Sequence, residues 1–111
     1  MQLWKCSVCN FIFEGEDAPD KCPKCGAPKE KFNQVNEEVT TKIQNARETN
    51  DLLMASVGLL EELEVIGESG AEINLDPLCL KFFTALKDES KLLRQIALAE
   101  IENHVKKEKW G

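Results

Sequence analysis

Two pairs of cysteines near the start of the chain constrain its structure more than any other feature. Cys6 and Cys9 form one C-x-x-C pair, Cys22 and Cys25 form a second, and twelve residues separate the two. Each C-x-x-C turn aims two sulfur atoms at one ion, so two such turns are typical of a tetrahedral site with four thiolate ligands. A redox dithiol or a disulfide is the alternative, but two pairs at this ribbon-like spacing seldom arise by accident. The sequence therefore predicts a metal site at these four cysteines.

The residues around the cysteines indicate how such a site would fold. A segment of about 35 residues buries too little surface to fold unaided, so metal binding and folding should be one event. Asn10 and Gly26 each follow the second cysteine of a pair, where the backbone commonly needs a positive φ angle. Asparagine and glycine are the residue types that tolerate this conformation. We expect residues 1–35 to form a small β domain stabilised by a metal ion.

The remainder, residues 36–111, carries apolar residues at helical spacing and predicts two long helices. The first should span about 36–68, with Asn36 as N-cap and Gly67 or Gly70 as the stop. The second should span about 76–109, with Asp76 as N-cap and Pro77 at its first position. A short connection makes the two helices antiparallel, so the sequence predicts a helical hairpin.

Both predicted helices carry more apolar residues than one helix–helix contact can cover. The additional residues are Leu52, Leu59, Leu63, Ile66, Leu80, Phe83, Leu92 and Ile96. We therefore expect two chains to form a homodimer, their hairpins pairing into a four-helix bundle. In the alternative arrangement, the cysteine domain folds back over this face and the protein is a monomer.

Charge and hydropathy exclude several classes of partner. The chain of 111 residues has a formal net charge of −6, which disfavours nucleic acid and anionic membranes. No apolar run approaches the ~18 residues that a membrane-spanning helix needs, and a metal-type cysteine pattern occupies the place of a secretory leader. We therefore expect a cytoplasmic protein, and in such a chain paired cysteines favour a metal site over a disulfide framework.

The stretch WKCSVCNFIFEGEDAPDKCPKCGAPKEKF, residues 4–32, resembles the rubredoxin-like domain of rubrerythrins. Asn10 departs from that pattern, since the family usually has glycine there. The resemblance implies a mononuclear iron held by four thiolates, which carries one electron at a time between redox protein partners in peroxide or oxygen defence. The matching positions are Trp4, Cys6, Cys9, Gly15, Ala18, Pro19, Cys22, Pro23, Cys25, Pro28 and Phe32.

Cysteine spacing alone leaves the identity of the metal open, because zinc also accepts four thiolates. The alternative function is therefore a structural zinc ribbon whose helical hairpin mediates protein–protein interaction. The predicted fold is the same in both cases: a rubredoxin-like or zinc-ribbon-like β domain followed by an all-α antiparallel helical hairpin.

A second metal site of the kind that rubrerythrins carry in a four-helix bundle is not predicted. That di-iron site uses Glu-x-x-His motifs, but the only histidine is His104, which has Ile101 three positions before it and Glu100 four positions before it. We interpret Glu100 and His104 as a solvated pair, and Glu61, Glu62 and Glu64 as a solvated run. No catalytic triad or nucleotide-binding motif is present, so an electron carrier is favoured over an enzyme. Cys79 is interpreted as a small buried residue at the start of the second helix.

Overall fold

The structure is a computed structural model that describes residues 2–111, and it begins with a three-stranded antiparallel sheet. Strand β1 (Leu3–Cys6) is central, with β2 (Ile12–Glu14) on one side and β3 (Phe32–Gln34) on the other. A short 3-10 helix, Lys29–Lys31, leads directly into β3. The strands are too short to enclose a large core, so the sheet serves mainly to place the residues next to the cysteines.

The core of this small sheet is built from cysteines and aromatic rings. Cys6, Cys22, Ala18 and Phe32 are buried together. The Trp4 indole N–H donates a hydrogen bond of 3.1 Å to the carbonyl of Gly15, which satisfies its polar edge while the ring packs against the core. The other partly buried residues of this cluster are Cys9, Phe11, Phe13 and Ala27.

Helix α1 (Glu37–Ile73) begins as the sequence predicts, because the Asn36 side chain accepts a hydrogen bond from the backbone N–H of Val39. It does not end at Gly67 or Gly70, and it continues beyond the predicted end near residue 68. The left-handed residue after the helix is Asn74, with φ of 46°. Asparagine therefore supplies the stop that was expected of a glycine.

Gly67 and Gly70 lie where α2 passes close to α1. A Cβ atom on Gly67 would stand 2.6 Å from the backbone nitrogen of Lys87, and one on Gly70 would overlap the Phe83 ring. Both glycines are buried. These residues are required by helix packing and not by chain termination, which explains why the helix continues through them.

Helix α2 (Pro77–Lys106) starts where the sequence predicts, with Asp76 accepting a hydrogen bond of 2.7 Å from the backbone N–H of Cys79. Polar side chains join it to α1. His104 is hydrogen-bonded to Asn50, and Arg94 forms an ion pair with Glu64. Together, α1 and α2 form the predicted helical hairpin.

By their contacts, the residues divide into two units, one ending at Asn45 and the other spanning Ala46–Gly111. The division falls inside α1, later than the predicted domain boundary at residue 35. The first turns of α1 therefore have their contacts in the metal unit, where Thr40 and Ile43 are buried. Within residues 2–111, no helix combines the length and hydrophobicity needed to cross a membrane.

Candidate metal centre

The four cysteines of the two C-x-x-C pairs lie together in the structure. Their Sγ atoms are all within 4.8 Å of one another. The Sγ atoms of Cys6 and Cys25 are 3.7 Å apart, and those of Cys9 and Cys22 are 3.6 Å apart. A tetrahedral site with metal–sulfur bonds of ~2.3 Å has sulfur atoms about 3.8 Å apart along its edges. These two distances therefore match the edges of a site in which one ion has four thiolate ligands.

Each C-x-x-C pair is shaped by a tight turn. In the first turn, the N–H of Asn10 donates to the carbonyl of Cys6, and in the second the N–H of Gly26 donates to the carbonyl of Cys22. Asn10 has φ of 66° and Gly26 has φ of 79°, which confirms the predicted left-handed conformations. The two turns repeat one backbone geometry, so they present their sulfur atoms in the same way.

Backbone N–H groups two and three residues after the first cysteine of each pair donate hydrogen bonds to its sulfur. Burial raises the pKa of the Cys6 thiol, but these N–H groups and the neighbouring thiols outweigh it and hold the pKa below its ordinary value. At Cys22, burial likewise raises the thiol pKa, while backbone N–H groups and neighbouring thiols lower it, to about 7. These two buried sulfur atoms are therefore prepared to exist as thiolates.

Cys25 shows the opposite tendency. The backbone N–H of Ala27 lowers its pKa, while burial and the three neighbouring thiols raise it, to about 12. The thiols raise this pKa because negative charge on one sulfur disfavours negative charge on the next. Four thiolates at these distances require a cation among them, so the cluster has the donor chemistry of a metal site.

Solvent exposure differs among the four sulfur ligands. Cys6 and Cys22 are buried, Cys9 is half-buried and Cys25 is exposed. Val8, in the turn beside Cys9, leaves 62% of its surface exposed. The cluster therefore has a closed side facing the aromatic core and an open side at the two second cysteines.

An ion pair and a backbone hydrogen bond hold the loops around the cluster. The Lys29 ammonium lies 2.6 Å from the Asp17 carboxylate, which lowers the pKa of Asp17 through hydrogen bonding. The backbone N–H of Ser7 donates to the carbonyl of Lys31, joining the first turn to the 3-10 helix. Side-chain pairing at residues 17 and 29 has no recognisable sequence motif, which is why sequence reasoning missed it.

The remaining candidate residues lie outside this cluster. Glu64 is not part of a solvated run, because its carboxylate accepts hydrogen bonds from Arg94 on the facing helix at 2.7 and 3.3 Å. His104 does not pair with Glu100 and is bonded to Asn50 instead. Among the described residues, the four cysteines are the only group of three or more His, Cys, Asp or Glu residues placed to share a metal ion.

Cys79 lies apart from that cluster, half-buried at the start of α2. Hydrogen bonding to the Asp76 carboxylate raises the pKa of its thiol, with burial acting in the same direction. A raised thiol pKa disfavours a reactive thiolate.

The β2-β1-β3 sheet and its four-thiol cluster define a rubredoxin-like domain. Residues 4–33 match the family model of the rubrerythrin rubredoxin-like domain. The predicted recognition of this domain is therefore confirmed.

Characterised relatives match the same end of the chain. Reverse rubrerythrin-1 from Clostridium acetobutylicum is 58% identical over 38 residues, 34% of this chain and 21% of that protein. Rubrerythrin from Clostridium perfringens is 51% identical over 35 residues, 32% of this chain and 18% of that protein. This chain thus matches about a fifth of the length of these relatives. No solved structure matches it significantly.

Proposed function

We propose that this protein transfers single electrons through a mononuclear iron ion bound by Cys6, Cys9, Cys22 and Cys25. The observation that carries the proposal is the four-sulfur cluster inside a domain of the rubrerythrin rubredoxin-like family. When bound, iron would supply one-electron chemistry between its ferrous and ferric states. The zinc alternative uses the same sulfur atoms and is distinguished by the experiment below.

The residues around the cluster are suited to a site that gains and loses charge. Backbone N–H groups directed at the sulfur atoms of Cys6 and Cys22 stabilise negative charge, which rises by one when an electron arrives. The aromatic core on the closed side keeps water away from these two buried sulfur atoms. A tetrahedral cage held by two short turns changes little between oxidation states, so little reorganisation opposes transfer.

The open side of the cluster provides the route for the electron. Cys25, the second cysteine of its pair, is exposed, and Cys9, the second cysteine of the other pair, is half-buried. A redox partner protein can therefore approach these ligand sulfur atoms directly. Val8, exposed beside Cys9, offers an apolar contact for such a partner. We infer that donor and acceptor proteins dock at this side of the domain.

The biological setting that we propose is peroxide or oxygen defence in the cytoplasm. The role in peroxide or oxygen defence rests on the likeness to proteins named rubrerythrin, which covers residues 4–33. The cytoplasmic location rests on the two C-x-x-C pairs, which are placed to share a metal ion and not to form a disulfide framework of the kind typical of secreted domains.

The test is to purify the full chain from cells grown with both iron and zinc, and to measure metal content and the visible spectrum. We expect one iron per chain and a red colour that is lost on chemical reduction and returns on reoxidation. Cys25→Ser should abolish the colour, and Cys79→Ser is the matched control that leaves all four ligands in place.

Two results would contradict the proposal. Colourless protein loaded with zinc, also after growth with excess iron, would support the structural zinc ribbon instead. A red protein whose colour does not respond to reductant would show iron binding without electron transfer.

A further inference from the structure

Helix α1 carries two parallel rows of residues, of which only one faces α2. The facing row includes Leu53, Leu60 and Gly67, which are half-buried or buried. A second row, one position earlier in sequence, includes Leu59 and Ile66, which are 61% and 50% exposed. One residue is a rotation of about 100° around a helix axis, so the second row points to the side of the hairpin.

Helix α2 repeats this arrangement. Phe83 and Ala97 face α1, and the residues one position earlier, Phe82 and Ile96, are 58% and 51% exposed. The two helices run in opposite directions and face each other from opposite sides. A rotation of one residue toward the N-terminus therefore turns away from the contact toward the same side of the hairpin in both helices. Together they form one surface, which we call the apolar face: Leu52, Leu59, Leu63, Ile66, Leu93 and Ile96, with Ile73 and Phe82 at its end.

A groove runs along the middle of the apolar face. Its volume is about 450 Å³, and Leu59 of α1 and Ile96 of α2 both line it. Leu60 and Ala97 of the facing rows form part of the same lining. The groove shows that the second rows of the two helices meet on one side of the hairpin.

The opposite side of the hairpin also exposes apolar residues, such as Leu98 and Val105 of α2, but more charged residues interrupt them. The residues one position after the facing row of α1 include Met54 and Val65, but Glu61 and Glu68 interrupt them. Charged residues also divide the corresponding row of α2, where Lys87 occurs. The corresponding row of α2 on the apolar face also holds Glu89 and Glu100, but the row of α1 from Leu52 to Ile66 carries no charged residue, so the apolar face is the more apolar of the two sides.

The area of the apolar face fits a protein interface. Its residues are between 37% and 75% exposed, which amounts to on the order of 1,000 Å² of side-chain surface, against roughly 800 Å² per partner in a stable interface. The largest exposed apolar patch of a typical monomer is about 300–600 Å². This face is thus larger than a monomer ordinarily leaves in water.

We propose that a second copy of this chain covers the apolar face, so that two hairpins form a four-helix bundle. In such a bundle each helix contacts two neighbours at about a right angle, which is the angle between the two rows on each helix. A face built from one chain is also self-complementary under two-fold symmetry. A second copy therefore supplies a partner of the same length and the same apolar character.

The test measures the mass of the full metal-loaded chain in solution by sedimentation equilibrium over a range of concentrations. We expect twice the 12.5 kDa of the single chain. Leu59→Glu combined with Leu63→Glu should convert the dimer to a monomer and raise the dissociation constant by at least about a hundredfold, since the charges would be buried. The matched control is Met54→Glu with Val65→Glu, two exposed residues of the same helix on the opposite side, and it should remain a dimer.

A second variant keeps the proposal testable if the double glutamate variant unfolds. Glu100 lines the groove among apolar residues, so a second hairpin would remove its carboxylate from water. Glu100→Leu should therefore tighten the dimer, by about tenfold in dissociation constant.

Several results would overturn the proposal. A compact monomer at all concentrations would show that no second copy covers the apolar face. The cysteine domain would then cover it, or the face would remain in water. A small molecule retained in the groove by native mass spectrometry would identify a different occupant. Dissociation by the Met54 and Val65 control, but not by the Leu59 and Leu63 variant, would place the interface on the opposite side.

Discussion

The metal unit and the helical hairpin differ in what can hold each of them folded. In the unit that ends at Asn45, Ala18 and Phe32 are buried in one cluster with Cys6 and Cys22, and Leu3 and Ile43 are also fully buried. The hairpin of residues 46–111 has no cysteine cluster and depends on the contact between α1 and α2, while most of its large apolar residues remain exposed. A small unit can thus be completed by an ion, whereas the hairpin rests on contacts between its own two helices, beyond which we have proposed a second copy.

The largest expected effect tests whether the metal ion stabilises only the metal unit, and the helix–helix contact only the hairpin. Cys9→Ser or Cys22→Ser should abolish metal binding and unfold the β domain, because structural sites of this kind contribute about 10 kcal/mol or more of binding free energy. The hairpin should remain helical in circular dichroism. Hydrogen exchange should show lost protection at Thr40 and Ile43, since the first turns of α1 belong to the metal unit.

Cys79→Ser is the control for this experiment and should keep both the metal and the protection. If helicity collapsed together with the metal, the hairpin would depend on the ion, and the division of the chain into two separately stabilised units would be incorrect.

A smaller effect tests the close approach of the two helices. Gly67→Ala should destabilise the hairpin by about 1–3 kcal/mol, because the added methyl group meets the backbone of α2 and forces the helices apart. Gly58→Ala on the same helix has open space around its Cβ position. It should stabilise the helix by about 0.5–1 kcal/mol, because alanine is the better helix former.

Urea denaturation followed by circular dichroism measures both glycine variants. Equal changes in the two variants would show that helix propensity, and not packing at Gly67, sets the outcome.

The smallest effect concerns the ion pair between the helices. Hydrogen bonding to Arg94 holds the pKa of Glu64 below its ordinary value in the folded hairpin. A lowered pKa adds stability above the ordinary glutamate pKa of about 4.3, and this contribution is lost as the pH falls through the folded-state value. We expect the hairpin to lose stability as the pH falls below the ordinary glutamate pKa, and Glu64→Gln to make that loss less steep.

A double-mutant cycle with Arg94→Gln isolates this ion pair. Each single substitution should remove the same pH-dependent contribution, and the double variant should remove no more than either one. Additive losses would show that the two side chains act independently of each other.

The candidate metal site could be predicted from the sequence because its geometry is local. A C-x-x-C turn fixes two sulfur atoms within four residues, and the positive φ angles at Asn10 and Gly26 follow from residue types in the same turns. The starts of both helices were predictable for the same reason, since Asn36 and Asp76 bond to N–H groups three residues later. Interactions within one turn leave a pattern in the sequence.

Tertiary structure alone decided the features that join distant segments. The role of Gly67 and Gly70 depends on where Phe83 and Lys87 of α2 pass α1, so their position near a predicted helix end was misleading. Glu64 is paired because Arg94 faces it across the hairpin. Which residues oppose one another across two helices is set by their packing register, and no spacing within either helix encodes that register. The sequence by itself therefore determined the metal cluster and the two helices, and the tertiary structure determined how the helices meet.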